Sequence, residues 1–260
     1  MTSNELTVAR EGDVWTVTIH RPDKMNPLSR PVLRALRAAF ESFAVDRQAK
    51  CIVVRGAGDR YFAAGGDLRE LADVRGDADT TAMVLECRAA LDAVRECPLP
   101  VVAALNGDAL GGGAELAVAC DLRVMAEHAS IGFVHGRLAI TAAWGGATDL
   151  VDLVGTSRAF RMMTRWEMID AFTALEWGLA DLVVPGADLE RRTTDFLAPL
   201  AAQSQDVLRA LKAQIVAARR GASRDERRAL ELRHIVQTWT HADHWKAVQR
   251  FFDARENRDE

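Results

Sequence analysis

The amino-acid sequence predicts an α/β fold, in which a sheet-containing core is followed by a helical C-terminal region. Three observations predict it. Short apolar runs alternate with stretches of helical periodicity up to about residue 185. Two glycine-rich segments each lie between an apolar run and a helical pattern. The final stretch, from Leu189 to Arg255, is arginine-rich and helical in spacing, with no strand-like run.

Each element follows from its residues. Leu6 to Arg10 and Val14 to Ile19, separated by Glu11-Gly12-Asp13, read as a hairpin that Arg21-Pro22-Asp23 stops. Apolar residues recur at helical spacing from Ser29 to Phe43, with Ser29 as N-cap and Pro31 in the first turn. Cys51 to Val54 is a short buried strand. Tyr61 to Asp67 reads as a loop, with a helical pattern from about Leu68. Thr81 to Cys97 is an amphipathic helix closed by Pro98 and Pro100, and Val101 to Leu105 is a second buried strand. Asn106-Gly107-Asp108 turns into Gly111-Gly112-Gly113, and Ala114 to Ala119 is helical. Leu122 to Met125 is a strand. The chain is helical from Thr156 except for a break at Asp181 to Pro185.

Composition excludes several classes. The 260 residues carry a formal net charge of -4, too acidic for a general nucleic-acid binder. Apolar runs reach only about half the length of a membrane span. Cys51, Cys87, Cys97 and Cys120 form no metal-binding spacing and are too sparse for a disulfide scaffold. Met1 to Asp13 is polar, without the apolar stretch of a signal peptide. These features predict a cytoplasmic protein with no nucleic-acid or membrane partner and no metal. No Pro/Gly/Ser linker divides the chain. The expected organisation is a core at 1–188 and a helical region at 189–260.

The glycine segments carry the chemistry. They are Phe62-Ala63-Ala64-Gly65-Gly66-Asp67-Leu68 and Asn106 to Glu115. Consecutive glycines at a strand-to-helix turn let a ligand approach the backbone. They also leave N–H groups at a helix start without partners. Either segment alone reads equally well as a tight turn, and neither is a nucleotide fingerprint. Two such N–H groups converging on one oxygen make an oxyanion hole.

These loops, in this order and about 45 residues apart, resemble the crotonase superfamily of enoyl-CoA hydratases and isomerases. Arg21 to Pro27, Phe62 to Leu68, Pro100 to Asp121 and Ala174 to Val184 carry the resemblance, which runs from Ala9 to Pro185 and more loosely to the C-terminus. It implies a superhelix of ββα repeats with a helical C-terminal trimerisation region, assembled as a homotrimer or dimer of trimers. It implies an acyl-CoA thioester substrate, no cofactor apart from the CoA of that substrate, and a thioester enolate held by the N–H groups of Gly66 and Gly112. Lys24, Met25, Asn26, Ala64, Asp67 and Leu68 would then line the CoA, with Phe251 and Arg255 reaching a neighbouring subunit's CoA.

The superfamily shares the enolate and differs in the groups that act on it. Family hydratases hold water between two glutamates. Glu115 matches the first, and His135 stands at the place of the second. The nucleophilic aspartate of the related dehalogenases is replaced by Ala143. Phe133-Val134-His135 with Trp144-Gly145-Gly146 is similar to the ethylmalonyl-CoA decarboxylase branch. Loss of carbon dioxide creates the enolate without a base, and His135, with Glu115 as partner or proton shuttle, is expected either to orient the carboxylate before it leaves or to protonate the α-carbon afterwards. Trp144 reads as a pocket wall. Glu115 also suits a helix dipole, and His135 also suits a buried structural role. His128, His234, His241 and His244 receive no role, and the arginines at 219–220 and 227–228 read as a solvated helix face. The expected activity is a lyase of acyl-CoA and fatty-acid metabolism acting on ethylmalonyl- or methylmalonyl-CoA. The alternatives are a 2-enoyl-CoA hydratase or isomerase and a non-catalytic acyl-CoA-binding protein.

Overall fold

A computed structural model describes residues 5–259. Residues 1–4 of the expected core and residue 260 of the expected helical region lie outside the described residues. In chain order the elements begin with strands β1 (Leu6–Glu11) and β2 (Val14–Ile19), helix α1 (Arg30–Val45), strands β3 (Cys51–Gly56) and β4 (Tyr61–Ala63), and helix α2 (Asp77–Arg95). Next come β5 (Val101–Leu105), β6 (Asp108–Leu110), α3 (Gly112–Ala119), β7 (Leu122–Ala126), β8 (Ser130–Gly132) and α4 (Gly146–Arg165). The chain ends with β9 (Ile169–Asp170), α5 (Ala171–Glu176), β10 (Leu182–Val184), α6 (Leu189–Ala201), α7 (Gln205–Arg219), α8 (Arg224–Thr240) and α9 (Ala242–Asp259).

The strands form a six-stranded sheet, β1-β2-β3-β5-β7-β10, and a four-stranded sheet, β4-β6-β8-β9. Three successive ββα turns share one plan. The first strand of each joins the large sheet in parallel, and the second joins the small one, also in parallel. Such strands are covered on both faces, which is why Val101–Leu105 is apolar and buried throughout. The expected hairpin is β1–β2, paired antiparallel from Leu6 opposite Ile19. The expected cap is present: Ser29 Oγ accepts from the Val32 N–H. The apolar face of α1 buries Leu33, Leu36, Phe40 and Phe43.

Four expectations need correction. Tyr61–Ala63 is a strand, and so are Asp108–Leu110 and Ser130–Gly132. Three residues between turns are too few to show a period of two. The stretch 68–73 is turns, and helix resumes only at Asp77, behind Gly76. The break at Asp181 to Pro185 contains β10, which pairs in parallel with β7. Helix α4 begins ten residues before Thr156, because Gly155 at φ 78° kinks it and interrupts the periodicity.

Two buried asparagines join the turns of the spiral. Asn106 Oδ1 accepts from the Gly56 N–H at 2.8 Å, and its Nδ2 donates to Gly58 and Tyr61 carbonyls. Asn26 Nδ2 donates to the Ala57 and Tyr61 carbonyls, while Oδ1 accepts from the Arg21 N–H. Both therefore anchor β4, the strand that leads into the first glycine loop. Helices α6 and α7 bury Leu197 and Leu208 against the body, whereas α8 buries no residue. No helix among the described residues is long and apolar enough to cross a membrane.

Candidate active site

The two glycine loops meet at the mouth of the spiral. Gly65, at φ +86°, lies so close to the second loop that a Cβ there would fall 3.0 Å from the Gly112 nitrogen. A Cβ on Gly113 would overlap the Ala63 carbonyl oxygen. Side chains at these positions would force the loops apart, so glycine is a steric requirement here. Gly112 is the first residue of α3, where a backbone N–H has no intrahelical acceptor.

Gly66 and Gly112 line one cavity of about 550 Å³. Its walls are mainly apolar, with Leu68, Leu71, Met83, Val84, Leu138 and Ile140 among them. The Trp144 ring lies over both glycines. A Cβ on Gly112 would fall 2.3 Å from ring atom Cζ3, and one on Gly66 would fall 3.7 Å from Cη2. Trp144 thus forms part of the wall of this cavity.

Glu115 projects from the first turn of α3 and is 1% exposed. Its Oε1 accepts from the Trp144 N–H at 2.8 Å and the Gly146 N–H at 3.1 Å. Its Oε2 lies 3.0 Å from His135 Nε2. An ionised carboxylate only accepts hydrogen bonds, so the ring nitrogen facing it carries a proton. His135 Nδ1 has no protein partner among the described residues and is the ring nitrogen left to act on a ligand. Gly146 has to be glycine for this cradle, since a Cβ there would fall 2.4 Å from Glu115 Cγ.

A second groove, of about 660 Å³, runs outward from the cavity. Lys24, Met25, Ala64, Asp67 and Leu68 line it, and Ala64, Gly66 and Leu68 line both spaces. Asp67 is paired with Arg21 at 2.9 Å. Burial pushes its carboxyl up, but the hydrogen bonds from Arg21 and the Arg69 N–H outweigh burial and leave it below the ordinary carboxylate range.

Asn26 is the exception among the residues expected along the CoA. It is fully buried at φ 52°, and all its side-chain hydrogen bonds run to backbone, so it orders the loop from beneath. Phe251 and Arg255 sit on α9, where the guanidinium lies 5.7 Å from the ring centroid. Neither lines the cavity or the groove within this chain.

The sequence reading missed the two backbone amides that hold Glu115. Its only signal for them is the Gly145-Gly146 pair ahead of a helix. Met83 and Val84, on the apolar face of α2, also line the cavity.

The enoyl-CoA hydratase/isomerase family model matches residues 9–259. YngF of Bacillus subtilis strain 168, named for that same hydratase/isomerase activity, is 32% identical over 243 residues, 92% of this chain and 91% of the relative. Ethylmalonyl-CoA decarboxylase of Xenopus laevis is 30% identical over 219 residues, 84% of this chain and 73% of the relative. The crystal structure of an enoyl-CoA hydratase from Bacillus anthracis superposes with a TM-score of 0.91 at 29% identity, covering 96% of each chain.

Proposed function

The chain belongs to the enoyl-CoA hydratase/isomerase family, the crotonase superfamily of acyl-CoA enzymes, and on that premise we propose that it decarboxylates an alkylmalonyl-CoA of the ethylmalonyl or methylmalonyl type. One observation carries this reading. The site pairs one carboxylate with one imidazole, and Glu115 spends both oxygens on Trp144, Gly146 and His135. Hydration in this family uses two carboxylates to hold a water. Decarboxylation needs neither of them as a base.

The step balances as follows. The bond from the α-carbon to the carboxylate breaks, and carbon dioxide leaves. Its electron pair forms the enolate, whose charge gathers on the thioester oxygen. The N–H groups of Gly66 and Gly112 are the donors for that oxygen, a role typically worth about 3 kcal/mol per donor. The α-carbon then takes the Nδ1 proton of His135 in its imidazolium form, in which both ring nitrogens carry a proton and the Glu115 carboxylate balances the charge, and solvent reprotonates Nδ1. Glu115 holds Nε2, so that Nδ1 is the nitrogen presented. A carboxylate among Leu68, Met83, Val84 and Ile140 loses hydration, which favours the loss of its charge.

The groove at Lys24, Met25 and Asp67 takes the CoA nucleotide and pantetheine in this reading. The same premise assigns Leu232, Ile235, Trp239 and Trp245, all more than half exposed on α8 and α9, to contacts in a homotrimer. Light scattering reads that assembly directly.

A panel of ethylmalonyl-, methylmalonyl- and crotonyl-CoA, followed by mass spectrometry, tests the reaction. Loss of carbon dioxide from a malonyl thioester is expected. Addition of water to crotonyl-CoA, with the malonyl thioesters untouched, would replace this reading by the hydratase one, which the enoyl-CoA hydratase neighbour from Bacillus anthracis favours. Binding of all three without turnover would leave an acyl-CoA-binding protein.

A further inference from the structure

Two arginines on α2 grip the segment that cradles Glu115. Arg88 donates from Nε and Nη2 to the Ala143 carbonyl, the shorter contact being 2.9 Å. That carbonyl belongs to the same peptide unit as the Trp144 N–H, which donates to Glu115. The unit is planar and trans, so its C=O and N–H point in opposite directions. Fixing the oxygen on the α2 side therefore aims the N–H at the carboxylate.

Arg95 lies two helical turns further along α2, on the same face. It is 8% exposed. Its Nε donates to Asp149 at 2.7 Å and its Nη1 to Asp92 at 2.9 Å. The guanidinium lies flat on Gly145: a Cβ there would fall 2.9 to 3.0 Å from Nη2, Cζ and Nη1 alike. Gly145, at φ +97°, shares a peptide unit with the Gly146 N–H, the second donor to Glu115. Nη2 is buried with no hydrogen-bond partner. The hydrogen bonds to Asp149 and Asp92 therefore hold the guanidinium plane against Gly145.

We infer that Arg88 and Arg95 are positioning residues, each setting one of the two peptide planes whose N–H groups hold Glu115, and through it the working face of His135. The inference rests on the proposed reaction for its kinetic consequence and on geometry alone for its structural one.

Arg88→Met is the first variant, because Arg88 is exposed and its loss leaves the core intact. With the malonyl-CoA substrate, kcat is expected to fall about tenfold with KM unchanged, as for a small misplacement of a reacting group. The His135 titration midpoint, read by NMR from a labelled imidazole, is expected to move. Arg88→Lys restores a donor to Ala143 and should recover much of both. Arg95→Lys keeps the charge beside Asp149 but removes the planar face from Gly145, and should repeat the pattern. Wild-type kcat and an unmoved His135 midpoint in folded Arg88→Met overturn the inference. If wild-type protein turns over none of the acyl-CoAs, the proposed reaction fails, but the His135 midpoint still decides the positioning role.

Discussion

The two walls of the site are built on opposite plans. On the α3 wall, Glu115 is 1% exposed and every polar contact has a fixed partner in the backbone or in His135. On the groove wall, Met25 is 45% exposed and Leu68 58% exposed. Groups that act on a developing charge need preorganisation to fractions of an ångström. Groups that hold a long, flexible thioester need area and reach. Substitutions on the first wall should therefore reduce kcat, and those on the second should raise KM.

The largest effect is expected at Gly112→Ala. The added Cβ meets the Trp144 ring 2.3 Å away, so either the ring or the loop must move. We expect kcat/KM to drop by about 100-fold or more, with the circular dichroism spectrum unchanged. Glu115→Gln comes next. The amide nitrogen would face His135 Nε2 as a donor, which leaves Nε2 unprotonated and removes the carboxylate charge that balances the imidazolium. A loss of about 100-fold in kcat with unchanged KM is expected from steady-state kinetics. On the other wall, Lys24→Ala should raise KM about fivefold and leave kcat alone, the scale of one exposed ionic contact.

Asp67 gives the groove wall a pH signature. Its folded carboxyl is held below the ordinary value, so the stability it contributes is present above the unfolded value of about 4 and is lost as pH falls through the lower folded one. KM is expected to stay flat from pH 8 to about 5 and to rise only in stronger acid. The smallest expected signal lies behind the site. Burial pushes the thiols of Cys51, Cys87 and Cys120 up to about 12, so at pH 8 a thiol reagent should label none of them until the protein unfolds.

Much of this architecture is legible in the sequence where one element carries its own signal over several turns. The Ser29 cap with its apolar stripe announces α1, and the buried run Val101–Leu105 announces its strand. Gly65-Gly66 and Gly111 to Gly113 mark the loops that meet. The sequence falls silent where a feature depends on distant backbone. Ser130–Gly132 is a strand because β6 lies beside it, not because its residues alternate. The Glu115 cradle is made by main-chain N–H groups about thirty residues downstream, and main-chain amides look alike in any sequence. Asn26 belongs to a motif that carries the resemblance, yet the hydrogen bonds of its amide to the backbone around Arg21, Ala57 and Tyr61 join residues far apart in the chain, which no local pattern announces.

The central claim is that His135, held by Glu115, serves the enolate left after carbon dioxide departs. The most direct measurement compares ethylmalonyl-CoA consumption in deuterated water by wild-type protein and by His135→Ala. The account predicts that wild-type protein yields an acyl-CoA product carrying one deuterium at the α-carbon, and that His135→Ala loses most of this rate. Equal rates of carbon dioxide release from the two proteins would contradict it.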